Sequence, residues 1–206
     1  MTRTKTILCF GDSNTWGSTP DDTGRFDWSV RWPGVLQQLL GDQARIVEDG
    51  HGGRTTVFED PLSSGKRGAD DLPKAIDRAE PVDILIIMLG TNDVKVRINA
   101  TASAIAEGMG KLIEIAKESR VVNEIVIVSP PAIVPTKSGI KDLQFDGSIE
   151  KLSKVAEHYE RIARVHGVRH LNLTASLSAS AIDGIHLSKE THREIAVQHV
   201  KIIQST

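Results

Sequence analysis

Ser13 stands at the seam of ILCFGDSNTWG, residues 7–17, where a run of strand-forming residues gives way to small polar and turn-forming ones. A serine hydroxyl is a weak nucleophile until a base takes its proton, and the base needs an acceptor that fixes its tautomer and steadies its positive charge. Asp183 and His186 supply those two groups three residues apart, near the other end of the chain. On a turn or helix start, that spacing lets the carboxylate reach Nδ1 while Nε2 points outward, towards Ser13. A carbonyl attacked by Ser13 would build negative charge on its oxygen and would need donors aimed at it. Three types are present: the Ser13 backbone N–H, a flexible-backbone N–H such as that of Gly53, and the Asn92 side-chain amide.

Residues so far apart in sequence must be gathered by the fold. Short β-branched runs alternate with longer segments of helical period, the pattern of stacked βα units around a parallel sheet. Strands are predicted at Thr6 to Phe10, Arg45 to Glu48, Asp83 to Leu89 and Glu124 to Ser129, with a fifth at Val168 to Leu173. Between them Ile105, Met109, Leu112, Ile113 and Ala116 share one helical face. A second such face carries Ile149, Leu152, Val155, Tyr159 and Ile162, on a helix that stops at Gly167. A last helix starts near Ser188 or Thr191, either of which can cap it. In an open parallel sheet, sites form at the carboxyl ends of the strands. Gly11-Asp12-Ser13, the Gly50-to-Thr56 segment, Gly90-Thr91-Asn92-Asp93 and Asp183-Gly184-Ile185-His186 all fall on that rim.

Composition narrows the partners. A length of 206 residues, 39% of them hydrophobic, suits a single domain over residues 1–206 with one sizeable core. A net charge of -2, with Lys and Arg dispersed, offers no field for nucleic acid or an anionic membrane, so a small-molecule partner is expected. The longest apolar run, Ile84 to Leu89, is too short to cross a bilayer, and the N-terminus reads as having no signal peptide. One cysteine, Cys9, permits no internal disulfide, and the expected location is cytoplasmic.

These motifs together resemble the SGNH (GDSL-type) hydrolase superfamily, whose conserved blocks carry a Ser, a Gly, an Asn and a His. Gly11-Asp12-Ser13 matches the first block, Gly90-Thr91-Asn92-Asp93 the third and Asp183-Gly184-Ile185-His186 the fifth. The second block is looser, and Gly53 is assigned to it because it stands where the family's glycine follows the second strand. The phrases ILCFGDSNTWG, RTT, IIMLGTND, VSPP and DGIHLS are similar to a branch of small bacterial arylesterases and acyltransferases. The resemblance implies a three-layer α/β/α sandwich around a central parallel sheet of about five strands, of the flavodoxin-like kind. It also implies a serine esterase acting on short-chain aryl or alkyl esters through an acyl-enzyme. Ser13 is then the nucleophile, His186 the base and Asp183 the acid, with Ser13, Gly53 and Asn92 forming the oxyanion hole. No cofactor and no metal is needed. Subunits of that branch associate so that rim segments narrow each other's entrance, which implies a homo-oligomer here.

Each residue also has a plainer reading. Ser13 could cap the helix after the first strand, Asp12 holds the turn, and Asn92 and Asp93 could close an Asx turn, the role favoured for Asp93. Trp16, three residues after Ser13, is expected to restrict the acyl pocket, and His51 to line the site. Arg31, Trp32 and Arg54 either brace the rim or contact substrate. His158, His192 and His199 read as ordinary helix residues. His166 and His170 are separated by Gly167, which disfavours a metal pair. The connection from Pro130 to Gly147 carries Ile133, Val134, Ile140, Leu143 and Phe145, apolar residues in need of a partner surface. Thioester, sugar-acetate and alcohol-acceptor chemistry stay open on the same three residues. The non-enzymatic alternative is a module that binds phosphate at the helix start after the first strand.

Overall fold

The computed structural model describes residues 3–136 and 143–205, so Ile140 lies outside the described residues. The expected strands form as β1 (Lys5–Gly11), β2 (Ala44–Gly50), β3 (Val82–Met88), β4 (Val122–Ser129) and β5 (Arg169–Asn172). All pair in parallel, in the order β2-β1-β3-β4-β5. β1 therefore lies inside the sheet, with Gly11 in register with Gly50 on one side and Met88 on the other. The carboxyl ends of three adjacent strands are thereby level, which brings the segments that follow them onto one rim.

Around the sheet, among the described residues, stand α1 (Ser13–Trp16), α2 (Trp32–Leu40), α3 (Gly68–Ala79), α4 (Ala102–Glu118), α5 (Ser148–His166) and α6 (Lys189–Gln204), with short 3-10 turns at Gly41–Gln43 and Val96–Ile98. Alternate residues of the central strands serve two cores. Leu8, Phe10, Leu85 and Ile87 face α3, α4 and α5 through Leu72, Ile76, Met109, Leu112, Leu152 and Tyr159. Ile7, Cys9, Ile84 and Ile86 face α2 and α6 through Leu36, Ile195 and Ile203. This is the expected three-layer α/β arrangement. The Ser188 hydroxyl accepts a bond from Thr191 N–H and caps α6, while Gly167 ends α5 in the left-handed conformation. Ile149, assigned to a buried face, is instead largely exposed at the first turn of α5.

Two expectations change in the second core. Trp32 is fully buried, stacked on His199 with ring centroids 4.7 Å apart, so it packs α2 against α6 rather than bracing the rim. His192 and His199 are buried as well. His192 Nδ1 accepts from Trp32 N–H at 3.3 Å, and His199 Nδ1 lies 2.8 Å from the Ile195 carbonyl, to which it donates. Burial holds His192 down at about 3 and His199 at about 4, so both are neutral in the folded protein at neutral pH. The unfolded chain takes protons at about 6.5, so it binds more of them as the medium is acidified. Stability from these two groups is present above about pH 6.5 and is lost as the pH falls towards 4. Asp12 and Asp93, raised by burial to about 6, act in the opposite direction between about 6 and 4. Replacing His199 by Phe keeps the stack and removes one proton-linked term. Urea unfolding at pH 7 and pH 5 should then show the pH-dependent loss smaller by about 2 kcal/mol than in the wild type.

Candidate active site

The candidate nucleophile is positioned by a tight turn at the end of β1. Asp12 caps α1, its Oδ1 accepting the Asn14 N–H at 2.9 Å, and Ser13 is the first helical residue. A Cβ on Gly50 would come within 2.2 Å of Trp16 N, so β2 must end in glycine for α1 to fold back over the strand ends. Asp12 thus holds the turn.

Asp183, His186 and Ser13 lie in one hydrogen-bonded line. His186 Nε2 is 3.1 Å from Ser13 Oγ, and His186 Nδ1 is 2.5 Å from Asp183 Oδ2. The other Asp183 oxygen accepts the Ile185 and His186 N–H groups at 3.0 and 2.9 Å. Burial raises the Asp183 carboxyl, but these bonds outweigh it and hold the group well below the usual carboxylate range. The loop is also fastened to the segment after β4: Val134 N–H donates to Gly184 O at 3.0 Å, and Ala132 and Ala179 are bonded to each other's neighbourhood through Ala179 N–H to Ala132 O at 2.8 Å. Gly184 sits at φ +75°, and a Cβ there would meet Val134 O at 2.3 Å.

The donors converge from the neighbouring strand ends. Gly53 follows β2 and Asn92 follows β3, and both line one cavity with Ser13 and His186. Asn92 Nδ2 donates to Arg54 O at 3.1 Å and makes a longer contact of 3.4 Å with Asp12 Oδ2. One amide proton is therefore fixed while the other is weakly held. Asp93 does not close a local Asx turn. Its Oδ1 accepts the Thr56 N–H at 2.8 Å and the Thr56 hydroxyl at 2.5 Å, tying the β3 end to the β2 loop. Arg54 is buried and donates to Gly11 O, Asp49 O and the Asp49 and Asp71 carboxylates, so it braces the rim. Arg31 pairs with Glu48 and Phe26 O beside it.

The cavity holds about 270 Å³. Trp16 and His51 are not among its lining residues. The Trp16 indole lies under the Arg25 guanidinium, 4.7 Å from it, and His51 is half exposed with Nδ1 3.9 Å from Asp71. One helical turn was too short to bring Trp16 round to the hydroxyl, and the β2 loop turns His51 out towards α3. Lys95, Gln144, Phe145 and Ser18 line the cavity instead. Phe145 was marked in the sequence only as an apolar residue of the long connection, and Lys95 only by standing three residues after Asn92. His170 Nε2 pairs with Ser129 Oγ at 2.8 Å, away from His166 at the end of α5. Among the described residues no group of three His, Cys, Asp or Glu side chains could hold a metal ion, and no helix is long and apolar enough to cross a membrane.

Comparison with known proteins bears on this geometry. A model of the GDSL-like lipase/acylhydrolase family matches residues 9–194. The chain is similar to the solved structure of an aryl esterase from M. smegmatis, with 35% identity over 98% of this chain and 99% of that one, at a TM-score of 0.92. It is also similar to a carbohydrate acetylesterase family member from Sinorhizobium meliloti, with 32% identity over 97% of each chain and a TM-score of 0.91. A further carbohydrate acetylesterase of that organism, Est24, is 33% identical over 97% of this chain and 98% of its own, at a TM-score of 0.90. Comparison with curated proteins gave no match. The matched family model, which runs from β1 into α6, and the shared five-stranded layered fold lead to one conclusion: the chain belongs to the GDSL-like lipase/acylhydrolase family, with the α/β fold of SGNH hydrolases.

Proposed function

We propose that the protein is a carboxylic ester hydrolase working through an acyl-enzyme on Ser13. The observation that carries this reading is the unbroken line from Asp183 through His186 to Ser13 Oγ at the carboxyl end of the sheet. His186 Nε2 takes the Ser13 proton as Oγ bonds to the ester carbonyl carbon. The carbonyl oxygen becomes an oxyanion, held by the Ser13 and Gly53 N–H groups and the second amide proton of Asn92. His186 then gives its proton to the departing alkoxide, and water repeats the sequence to free the acid. Nothing in these steps calls for a cofactor, and the 206-residue chain acts as one domain. The single cysteine, buried in β1, supports a cytoplasmic setting.

The Asn92 role has its own test. Asn92→Ala should lower kcat by about a hundred- to a thousand-fold with little change in KM, because the amide contributes most after charge has formed. A change in KM alone, measured with phenyl acetate, would contradict it.

Short acyl groups suit the small cavity, where Phe145 and Ile185 bound the space beside Ser13. Acetyl esters of phenols are one substrate class, in keeping with the aryl esterase relative. Acetylated carbohydrates are a second, favoured by the two acetylesterase relatives from Sinorhizobium meliloti. Transfer of the acyl group to an alcohol in place of water follows the same steps. Exposed apolar side chains adjoin the site: Leu143, 76% exposed, is next to Gln144, and Ile182, 62% exposed, is next to Asp183. A second copy of the chain covering them would make a homo-oligomer with a confined entrance. The expected results are a mass well above 22.4 kDa in light scattering and a steep fall in kcat/KM for p-nitrophenyl esters beyond about four to six acyl carbons. A monomer that turns over decanoate as fast as acetate would refute both features.

A further inference from the structure

Lys95 has no part in the steps above, yet it lines the same cavity as Ser13, Asn92 and His186. Its side chain is only 10% exposed. The nearest counter-charge is Asp60, whose Oδ2 is 3.8 Å from Nζ, too far for a hydrogen bond. Asp60 is already occupied by Arg97, which donates Nε to Oδ1 and Nη2 to Oδ2 at 2.7 Å each. Burial and the Arg97 charge push Lys95 below the ordinary lysine value, while Asp60 and Asp12 oppose that push from a distance. The Phe145 ring lies 5.7 Å from Nζ.

An ammonium on a largely buried side chain that opens only to a cavity, with no short acceptor among the described residues, is less well solvated than one at the surface, and an anion entering the cavity would supply the missing acceptor. The neighbouring groups are of the same kind. Gln144 lines the cavity, and its Oε1 accepts from Arg97 at 3.0 Å, so its NH2 is left as the donor it can offer a ligand. A second lysine, Lys66, reaches over Gly53, with Nζ 3.1 Å from where a Cβ would stand. Lys95, Lys66 and the Gln144 amide thus bring donors towards the nucleophile. A ligand group that satisfies them must accept several hydrogen bonds and favour positive surroundings, which describes a carboxylate better than a hydroxyl or an alkyl chain.

We propose that Lys95 and Gln144 form a carboxylate-binding subsite, so that the preferred substrates are esters bearing a carboxylate on their acyl or alcohol portion. The proposal rests on the ester hydrolase reading and assigns its specificity. Two matched pairs test it: monoethyl succinate against ethyl 4-methylpentanoate for the acyl side, and 3-acetoxybenzoate against 3-tolyl acetate for the alcohol side. In at least one pair, the ratio of kcat/KM for the anionic ester to that for its neutral partner should fall about tenfold or more in Lys95→Met, chiefly through KM. Lys95→Gln, which removes the charge and stays polar, should lower the same ratio if the Met variant does not fold. Unchanged ratios in both pairs, with 3-tolyl acetate still hydrolysed, overturn the subsite and leave the hydrolase reading standing. If the wild type hydrolyses none of the four, the hydrolase reading fails, and binding decides the subsite separately. Monoethyl succinate titrated by NMR into Ser13→Ala should then bind about tenfold or more tighter than into Ser13→Ala/Lys95→Met, and equal affinities overturn it.

Discussion

Ser13→Ala should abolish ester turnover, lowering kcat by about a million-fold, the scale seen when a serine nucleophile is removed from other triads. The activity left would come from the oxyanion donors and from substrate positioning. The fold should not change, because the lost hydroxyl makes one side-chain contact, with His186 Nε2, and lies outside both apolar cores. The thermal midpoint should therefore match the wild type while a fluorophosphonate probe labels the wild type alone. A folded variant that still turns over phenyl acetate at a rate near the wild type would remove Ser13 from the mechanism. Labelling of the wild type elsewhere would point to a different nucleophile, and no labelling would favour the phosphate-binding alternative.

Asp183→Asn should cost about ten-thousand-fold in kcat, and the hydrogen bonds say why. The two backbone N–H groups of Ile185 and His186 both donate to Oδ1, so an asparagine would keep its oxygen on that side. Its NH2 would then face His186 Nδ1, where Oδ2 now stands. A donor there forces Nδ1 to accept, which moves the ring proton to Nε2, the atom that must receive the proton of Ser13. The ring stays in place but holds the wrong tautomer. The substitution is nearly isosteric, so calorimetry should show a folded protein while stopped assays show the loss. A fall of only about tenfold would mean that another group orients His186.

β1, β2 and β3 were readable because each carries an apolar run with β-branched residues and closes at or beside a glycine, and β4 because its β-branched run stops at Pro130, while β5, Arg-His-Leu-Asn, gave a weaker pattern. The three charged or polar members of the candidate triad were readable for a related reason: each directly follows a regular element or sits in a short local turn. The cavity wall was not. Gln144 and Phe145 line the Ser13 cavity from a connection more than a hundred residues away, whose apolar residues announced a partner surface but not that the surface was the cavity wall. Trp16 failed as a pocket residue because helical spacing gives a neighbour on the cylinder, but α1 is a single turn and Arg25 claims the indole. Asp93 had the residue type for an Asx turn, and only the packed structure reveals Thr56 as its partner. The histidines of α6 look polar in sequence, and the stacking against Trp32 that buries His199 depends on α2, which the periodicity did not announce.

The bond from Val134 to Gly184 has a consequence for laboratory evolution. The segment after β4, which opens the connection that later supplies Gln144 and Phe145 to the cavity wall, is bolted to the loop that carries the base, with no room for even a methyl group at the joint. A variant selected for bulkier acids by reshaping residues 132–134 would also tilt His186 relative to Ser13. Gains in substrate breadth along that route should therefore come with slower chemistry, whereas changes at Gln144, which has no bond to that loop among the described residues, leave the two traits free to evolve apart.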